Sequence, residues 1–204
     1  MSHKGQETEA KFYVTDLDRA AARLEELQAR LVQPRVLETN LRFDLPDGSL
    51  TSNGRVLRLR SDTEARLTYK GAGQNKSGAL DRQEIEFIVE DDRKARQFLE
   101  ALGYQKTMYY EKYRTTYELE DTLIMLDEMP YGNFLEIEGE TVEQIQALSA
   151  KLHLDWNAAI PSSYTALFEN LRRKMQLSFQ DISFENFRDI QVTPTDLNVR
   201  LANE

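Results

Sequence analysis

Seven short segments of this chain alternate long charged side chains with apolar or aromatic ones, two residues to the period. In "ETEAKF" the alternation sets Glu7, Glu9 and Lys11 against Ala10 and Phe12. "RVLRLRS" sets Arg58 and Arg60 against Leu57 and Leu59, and "LTYKG" sets Thr68 and Lys70 against Leu67 and Tyr69. "RQEIEFIV" separates Arg82, Glu84 and Glu86 from Ile85 and Phe87, while "YEKYRTTY" separates Lys112 and Arg114 from Tyr113. Asp127 in "LIMLDEM" is in phase with Met125, and "FLEIEGE" sets Glu136 and Glu138 against Leu135 and Ile137. A period of two is the signature of β-strands, whose successive side chains point to opposite faces.

One such strand is ordinary: polar outside, apolar on a core. Seven repeating it with seven cations and seven acids form a charged face too large for that account. Rolling the sheet into a closed barrel removes its edges, and about eight strands enclose room for side chains or one small ligand. The apolar faces then point outward, to be covered by amphipathic helices. Like charges about 5 Å apart at an effective dielectric of 20 repel by roughly 3 kcal/mol per pair. A dry, fully paired lumen is a poor route to stability. A hydrated tunnel for a polyanion with metal ions uses such a lining economically. Arg suits phosphate by forked contacts and Lys as a point charge. Carboxylates at Glu7, Glu9, Asp127, Glu136 and Glu138 suit Mg²⁺ or Mn²⁺, which take oxygen ligands.

The chain order fits an α+β fold: a closed eight-stranded antiparallel barrel with helices packed outside. Strands are expected at 6–14, 36–45, 54–61, 64–71, 80–89, 105–118, 122–128 and 133–139. Helices are expected after the first, fifth and eighth strands. Thr15 serves as N-cap of "TDLDRAAARLEELQARL", with Asp18 at the capping-box position and Pro34 stopping the pattern. Residues 91–102 form the next helix, closed by Gly103; Thr141 opens 142–152, and a fourth spans 163–175. Residues 1–175 read as the tunnel domain and 176–204 as a C-terminal tail, packed on the barrel or partly disordered. "GAGQNKSG" is read as a polar loop; Ala79 and Leu80 stand where a P-loop needs Lys and Ser or Thr. Trp156 and Tyr164 are assigned to helix packing, and Tyr109, Tyr110, Tyr113 and Tyr117 to the outer face or rim.

The 204 residues carry a net charge of −9, which argues against a general nucleic-acid binder. There is no cysteine, and the two histidines, His3 and His153, are far apart, so a His/Cys zinc site is not expected. The absence of an apolar span or signal-peptide region points to a cytoplasmic protein, monomer or homodimer, without membrane or nucleic-acid partners.

"ETEAKF" resembles the ExExK signature of the CYTH superfamily, the triphosphate tunnel metalloenzymes, which includes class IV adenylyl cyclases, thiamine triphosphatases and inorganic triphosphatases. The resemblance continues in order through "RVLRLR", "LTYKG", "RQEIEF", "EKYR", "LDEM…GNFLEIEGE" and "SSYTALF". It implies that Lys11, Arg58, Arg60, Lys70, Arg82, Lys112 and Arg114 grip a triphosphate. It implies that Glu7, Glu9, Asp127, Glu136 and Glu138 serve a divalent metal, with Glu84 and Glu86 on the acidic strand.

Three activities remain compatible: a metal-dependent triphosphatase, an adenylyl cyclase releasing pyrophosphate from ATP, and a noncatalytic polyphosphate or nucleotide sensor. Many phosphate contacts without an evident adenine pocket favour the triphosphatase, because phosphoryl transfer demands chiefly positioning and charge stabilisation. Tripolyphosphate, ATP and thiamine triphosphate are the candidate substrates. In this scheme Glu7 and Glu9 touch the metal that positions the attacking water. Lys70 or Lys112 assists as acid or base.

Overall fold

Alternation becomes a closed sheet in the computed structural model, which describes residues 6–203, the side chains of Gln6 and Glu7 excepted. The strands are β1 (Gln6–Val14), β2 (Arg30–Asp44), β3 (Val56–Ser61), β4 (Ala65–Lys70), β5 (Gln74–Lys76), β6 (Ala79–Val89), β7 (Gln105–Leu119), β8 (Thr122–Met129) and β9 (Gly132–Gly139). Their spatial order is β1-β9-β8-β7-β2-β3-β4-β6, and antiparallel pairing of β1 with β6 closes eight of them into a barrel. β5 pairs with β6 from Gln74↔Asp81 to Lys76↔Ala79, beyond the end of the β4 ladder. This ninth strand lies in the stretch expected to be a loop.

The helices are α1 (Leu17–Glu26), α2 (Ser49–Ser52), α3 (Asp92–Ala101), α4 (Val142–Lys151), α5 (Tyr164–Met175) and α6 (Pro194–Leu197), with a 3-10 turn at Trp156–Ala158. Helix α1 departs from expectation at both ends. Asp16, not Thr15, accepts from the Arg19 amide as N-cap, and the helix stops at Glu26, followed by left-handed Gln28. Pro34 lies inside β2, within the register shift between Gln33 and Val36, where a bulge tolerates its missing N–H. Thr141 and Ser163 cap α4 and α5, and Gly103 follows α3 in the left-handed conformation.

The hydrophobic core is outside the barrel. Outward residues Ala10, Phe12, Ile124, Leu126, Leu135 and Ile137 are buried with Leu24 of α1 and Ile145 and Leu148 of α4. Leu99 of α3 covers Phe43, Leu57 and Leu59. A third cluster joins Tyr13, Met129 and Phe134 to Tyr164, Phe168 and Leu171 of α5. It also takes in Ile182, Phe187 and Leu197, so residues 176–203 pack on the barrel. The Ile182 amide bonds to the Tyr109 carbonyl, and the Ala202 amide to that of Tyr13. No helix among the described residues is long and apolar enough to cross a membrane.

Candidate functional site

Turning hydrocarbon outward sends the alternate residues into a cavity of about 1310 Å³. Its lining includes Glu9, Lys11, Arg58, Arg60, Lys70, Arg82, Glu84, Glu86, Lys112, Arg114, Glu136 and Glu138. The two other candidates behave differently. Asp127 lies behind the lining, fully buried. The Glu7 side chain is outside the described residues, but its backbone faces Arg82 in the β1–β6 ladder. Among the described residues ten cations and eight carboxylates line the cavity, an excess opposite in sign to the chain's −9. Local arrangement, not total charge, governs what such a cleft attracts.

The deepest layer is a continuous ionic network. Arg114 grips Asp127 by two 2.6 Å bonds, Nε to Oδ1 and Nη2 to Oδ2, and reaches Glu136 at 3.1 Å. Lys112 lies 3.0 Å from Asp127 and 3.5 Å from Glu38, while Lys11 lies 2.8 Å from Glu136. The Tyr164 hydroxyl donates to Asp127 at 2.7 Å, and the Lys11 ammonium stands 4.4 Å from its ring centroid. Further round the wall, Arg60 meets Glu86 at 2.8 Å and Glu38 at 3.7 Å, and Arg82 meets Glu9 at 3.1 Å. Arg58 reaches Glu86 at 3.7 Å, and Lys70 reaches Glu84 at 3.5 Å.

These contacts fix protonation states. Burial alone pushes the Glu136 carboxyl up, yet Lys11, Arg114 and Lys112 outweigh it and hold the pKa well below the usual range. Glu38 is likewise pushed up by burial and held well below the usual range by Lys112, Arg114, Arg60 and Arg58. Burial lowers Lys11, but Glu136 and Glu9 raise it to a net upward shift. Glu38, Glu136 and Lys11 are therefore held in their charged forms side by side.

Four residues of the cavity lining escaped the sequence reading. Glu38 and Arg42 share the inward phase of β2 with Asn40, a pattern visible in "ETNLR" but masked by Thr39 on the opposite face. Tyr110, expected at the rim, lines the cavity, and its hydroxyl accepts from Arg58 Nη1 at 3.2 Å. Its spacing of two from Lys112 was the available signal. Tyr164 both packs α5 and faces the charges, which helix periodicity does not reveal.

Among the described residues no three His, Cys, Asp or Glu side chains gather into an all-protein metal cage. Asp127 takes three donors on Oδ2, from Lys112, Arg114 and Tyr164, and one on Oδ1, from Arg114. Glu9 and Glu138 are direct cross-strand partners on the lining, with Glu136 opposite Lys11. Two hard carboxylates beside a phosphate chain fit a Mg²⁺-type ion, which keeps several waters and takes substrate oxygens as ligands.

A closed antiparallel barrel with its charges turned inward is thus the class that fold and site define. Residues 5–158 match the CYTH domain, and the chain belongs to that family. A Methanocaldococcus jannaschii protein provisionally named an adenylate cyclase is 27% identical over 172 residues, covering 79% of this chain and 97% of that protein. A Vibrio parahaemolyticus structure, also provisionally named an adenylate cyclase, superposes with a TM-score of 0.72 at 21% identity. That match covers 81% of this chain and 99% of the other. A Hippeastrum structure, described as a provisional adenylyl cyclase with a dominant triphosphatase activity, gives a TM-score of 0.55 at 17% identity. It covers 95% and 100% of the two chains. At these identities the two structures speak to the fold.

Proposed function

We propose that this protein is a divalent-metal-dependent triphosphatase acting on inorganic triphosphate or a triphosphorylated small molecule. The observation that carries the reading is the convergence of Lys11, Arg58, Arg60, Lys70, Arg82, Lys112 and Arg114 on one cavity of the required size. Cations held in place by carboxylates are preorganised, so they stabilise charge on a phosphate chain without reorganising during the reaction. Glu9 and Glu138, with Glu7 in register beside them, would hold Mg²⁺ or Mn²⁺. Held there, such an ion would supply charge neutralisation and an acidified water. Lys112, clamped between Asp127 and Glu38, suits charge stabilisation, and Lys70 is the better-placed proton donor to a leaving phosphate.

The name of the Methanocaldococcus relative supports a second reading, cyclisation of ATP with release of pyrophosphate. Against it, the aromatic side chains lining the cavity among the described residues are Tyr110 and Tyr164. The Tyr110 hydroxyl is tied to Arg58, and the Tyr164 ring carries Lys11. Both side chains are buried, so neither offers an open face to an adenine. Incubation with tripolyphosphate, ATP or thiamine triphosphate plus Mg²⁺ or Mn²⁺, followed by product separation, tests the proposal. Orthophosphate from a triphosphate is expected; cyclic AMP with pyrophosphate would replace this reading with the second. Tight binding without turnover would leave a sensor.

A further inference from the structure

Of the ten cations lining the cavity, eight have a carboxylate within 4 Å: Lys11, Arg58, Arg60, Arg66, Lys70, Arg82, Lys112 and Arg114. Arg55 has none within that distance among the described residues and is exposed at the rim, where water solvates it. Arg42 is different: it is half-buried, faces the lumen from β2 and makes no ion pair among the described residues. The nearest acid along the strand, Asp44, is spent elsewhere, accepting from the Leu45, Leu50 and Thr51 amides. The guanidinium of Arg42 donates from Nη1 to Thr165 Oγ1 at 2.8 Å, a neutral partner at the start of α5.

The register sharpens the point. Arg42 and Arg58 are direct cross-strand partners in the β2–β3 ladder. Like charges directly opposite one another destabilise a sheet. Arg58 shares its Nη2 with Thr68 at 3.4 Å and a 3.7 Å approach to Glu86, while its buried Nε has no hydrogen-bond partner. Burial first, then Arg58 and Arg82, push the Arg42 pKa down, with partial relief from Tyr110 and Asp44. Two facing arginines with spare donors and no intervening acid form an open fork of the geometry that phosphate oxygens fill.

We propose that Arg42 is a phosphoryl-binding residue that works with Arg58 to grip one end of a polyphosphate chain beside the first turn of α5. This rests on the triphosphate reading of the cavity and adds an unassigned residue to it. Thr165 is then a positioning residue, holding the fork open in the free protein.

The test uses Arg42→Met and Arg42→Lys in the full chain, with metal-free tripolyphosphate as probe at fixed ionic strength. Calorimetric affinity and the urea midpoint of the ligand-free protein are both read. Arg42→Met is expected to weaken tripolyphosphate binding tenfold or more while leaving the ligand-free midpoint equal or higher, because removal of Arg42 relieves its repulsion with Arg58. Arg42→Lys, which keeps the charge and loses the fork, should fall between the two. Unchanged affinity in Arg42→Met would overturn the proposal and leave the triphosphatase reading intact. A ligand-free Arg42→Met that unfolds or loses stability would overturn it too, since that is the mark of a structural arginine. Absence of tripolyphosphate binding by the wild type would instead remove the triphosphate reading itself.

Discussion

Asp127 is the buried anchor of the cationic wall, and Asp127→Asn is the sharpest probe of how that wall is held. The carboxylate is fully buried and accepts from Lys112 Nζ, Arg114 Nε and Nη2, and Tyr164 Oη, all within 3.0 Å. Asparagine removes the negative charge and turns amide hydrogens toward groups that are themselves donors. Removing one partner of a buried ion pair typically costs about 3–5 kcal/mol. Glu136, 3.1 Å from Arg114, and Glu38, 3.5 Å from Lys112, remain and place the expected loss toward the lower end. For a chain near 200 residues, each kcal/mol moves Tm by about 2–4 °C, so the melt should fall by roughly 6–20 °C. Tripolyphosphate then supplies the missing negative charge. Its stabilising effect, about 2.7 kcal/mol at one hundred times Kd for the wild type, should be larger in the variant. Urea unfolding with and without tripolyphosphate measures both quantities. A loss below about 1 kcal/mol, or no extra rescue by the polyanion, would refute Asp127 as the anchor.

Glu138→Gln should lower triphosphate turnover by about 10²–10³-fold, a typical effect of losing one electrostatic group at a reacting centre, with the urea midpoint nearly unchanged. Activity and unfolding on the same preparation decide it. The depressed pKa values of Glu38 and Glu136 stabilise the fold fully above their unfolded value of 4.5. That contribution is lost as pH falls through the folded values, so stability should hold above about pH 5 and decline below 4.5. Glu136→Gln should flatten this decline in a pH series of urea midpoints. Phe187 is buried in contact with Tyr131, Phe168 and Phe179, so Phe187→Ala should destabilise the whole chain by about 3–5 kcal/mol in a single cooperative melt. A separate low-temperature transition confined to the tail would show that it is not part of the same folding unit.

The barrel was legible because its alternation is carried by extremes: Lys, Arg and Glu on one side, Leu, Ile and Phe on the other. β2 was read only in part because Leu37, Thr39, Leu41 and Phe43 form a mixed outer face, and because Pro34 looks like a terminator until a bulge absorbs it. Glu38 and Arg42 were lost with it. The start of α1 turned on a choice between adjacent capping residues, Thr15 and Asp16, that spacing alone does not resolve. Strand β5 has three exposed residues and no apolar alternation to announce it. The packing of 176–203 was opaque for another reason. Leu177, Phe179, Ile182, Phe187, Ile190 and Leu197 follow neither a period of two nor one of 3.6, since their places are dictated by pockets on the barrel.

Closure of the barrel has a consequence for biosynthesis. β1 is held on one side by β6 and on the other by β9, and Tyr13 within it also receives the Ala202 amide. β1, synthesised before both of its partners, must therefore wait for residue 139 before both its edges are paired. Until then Glu9 and Lys11 remain in bulk water. Contacts of such sequence separation make assembly slow, and they place dehydration of the charges among the last events on the pathway.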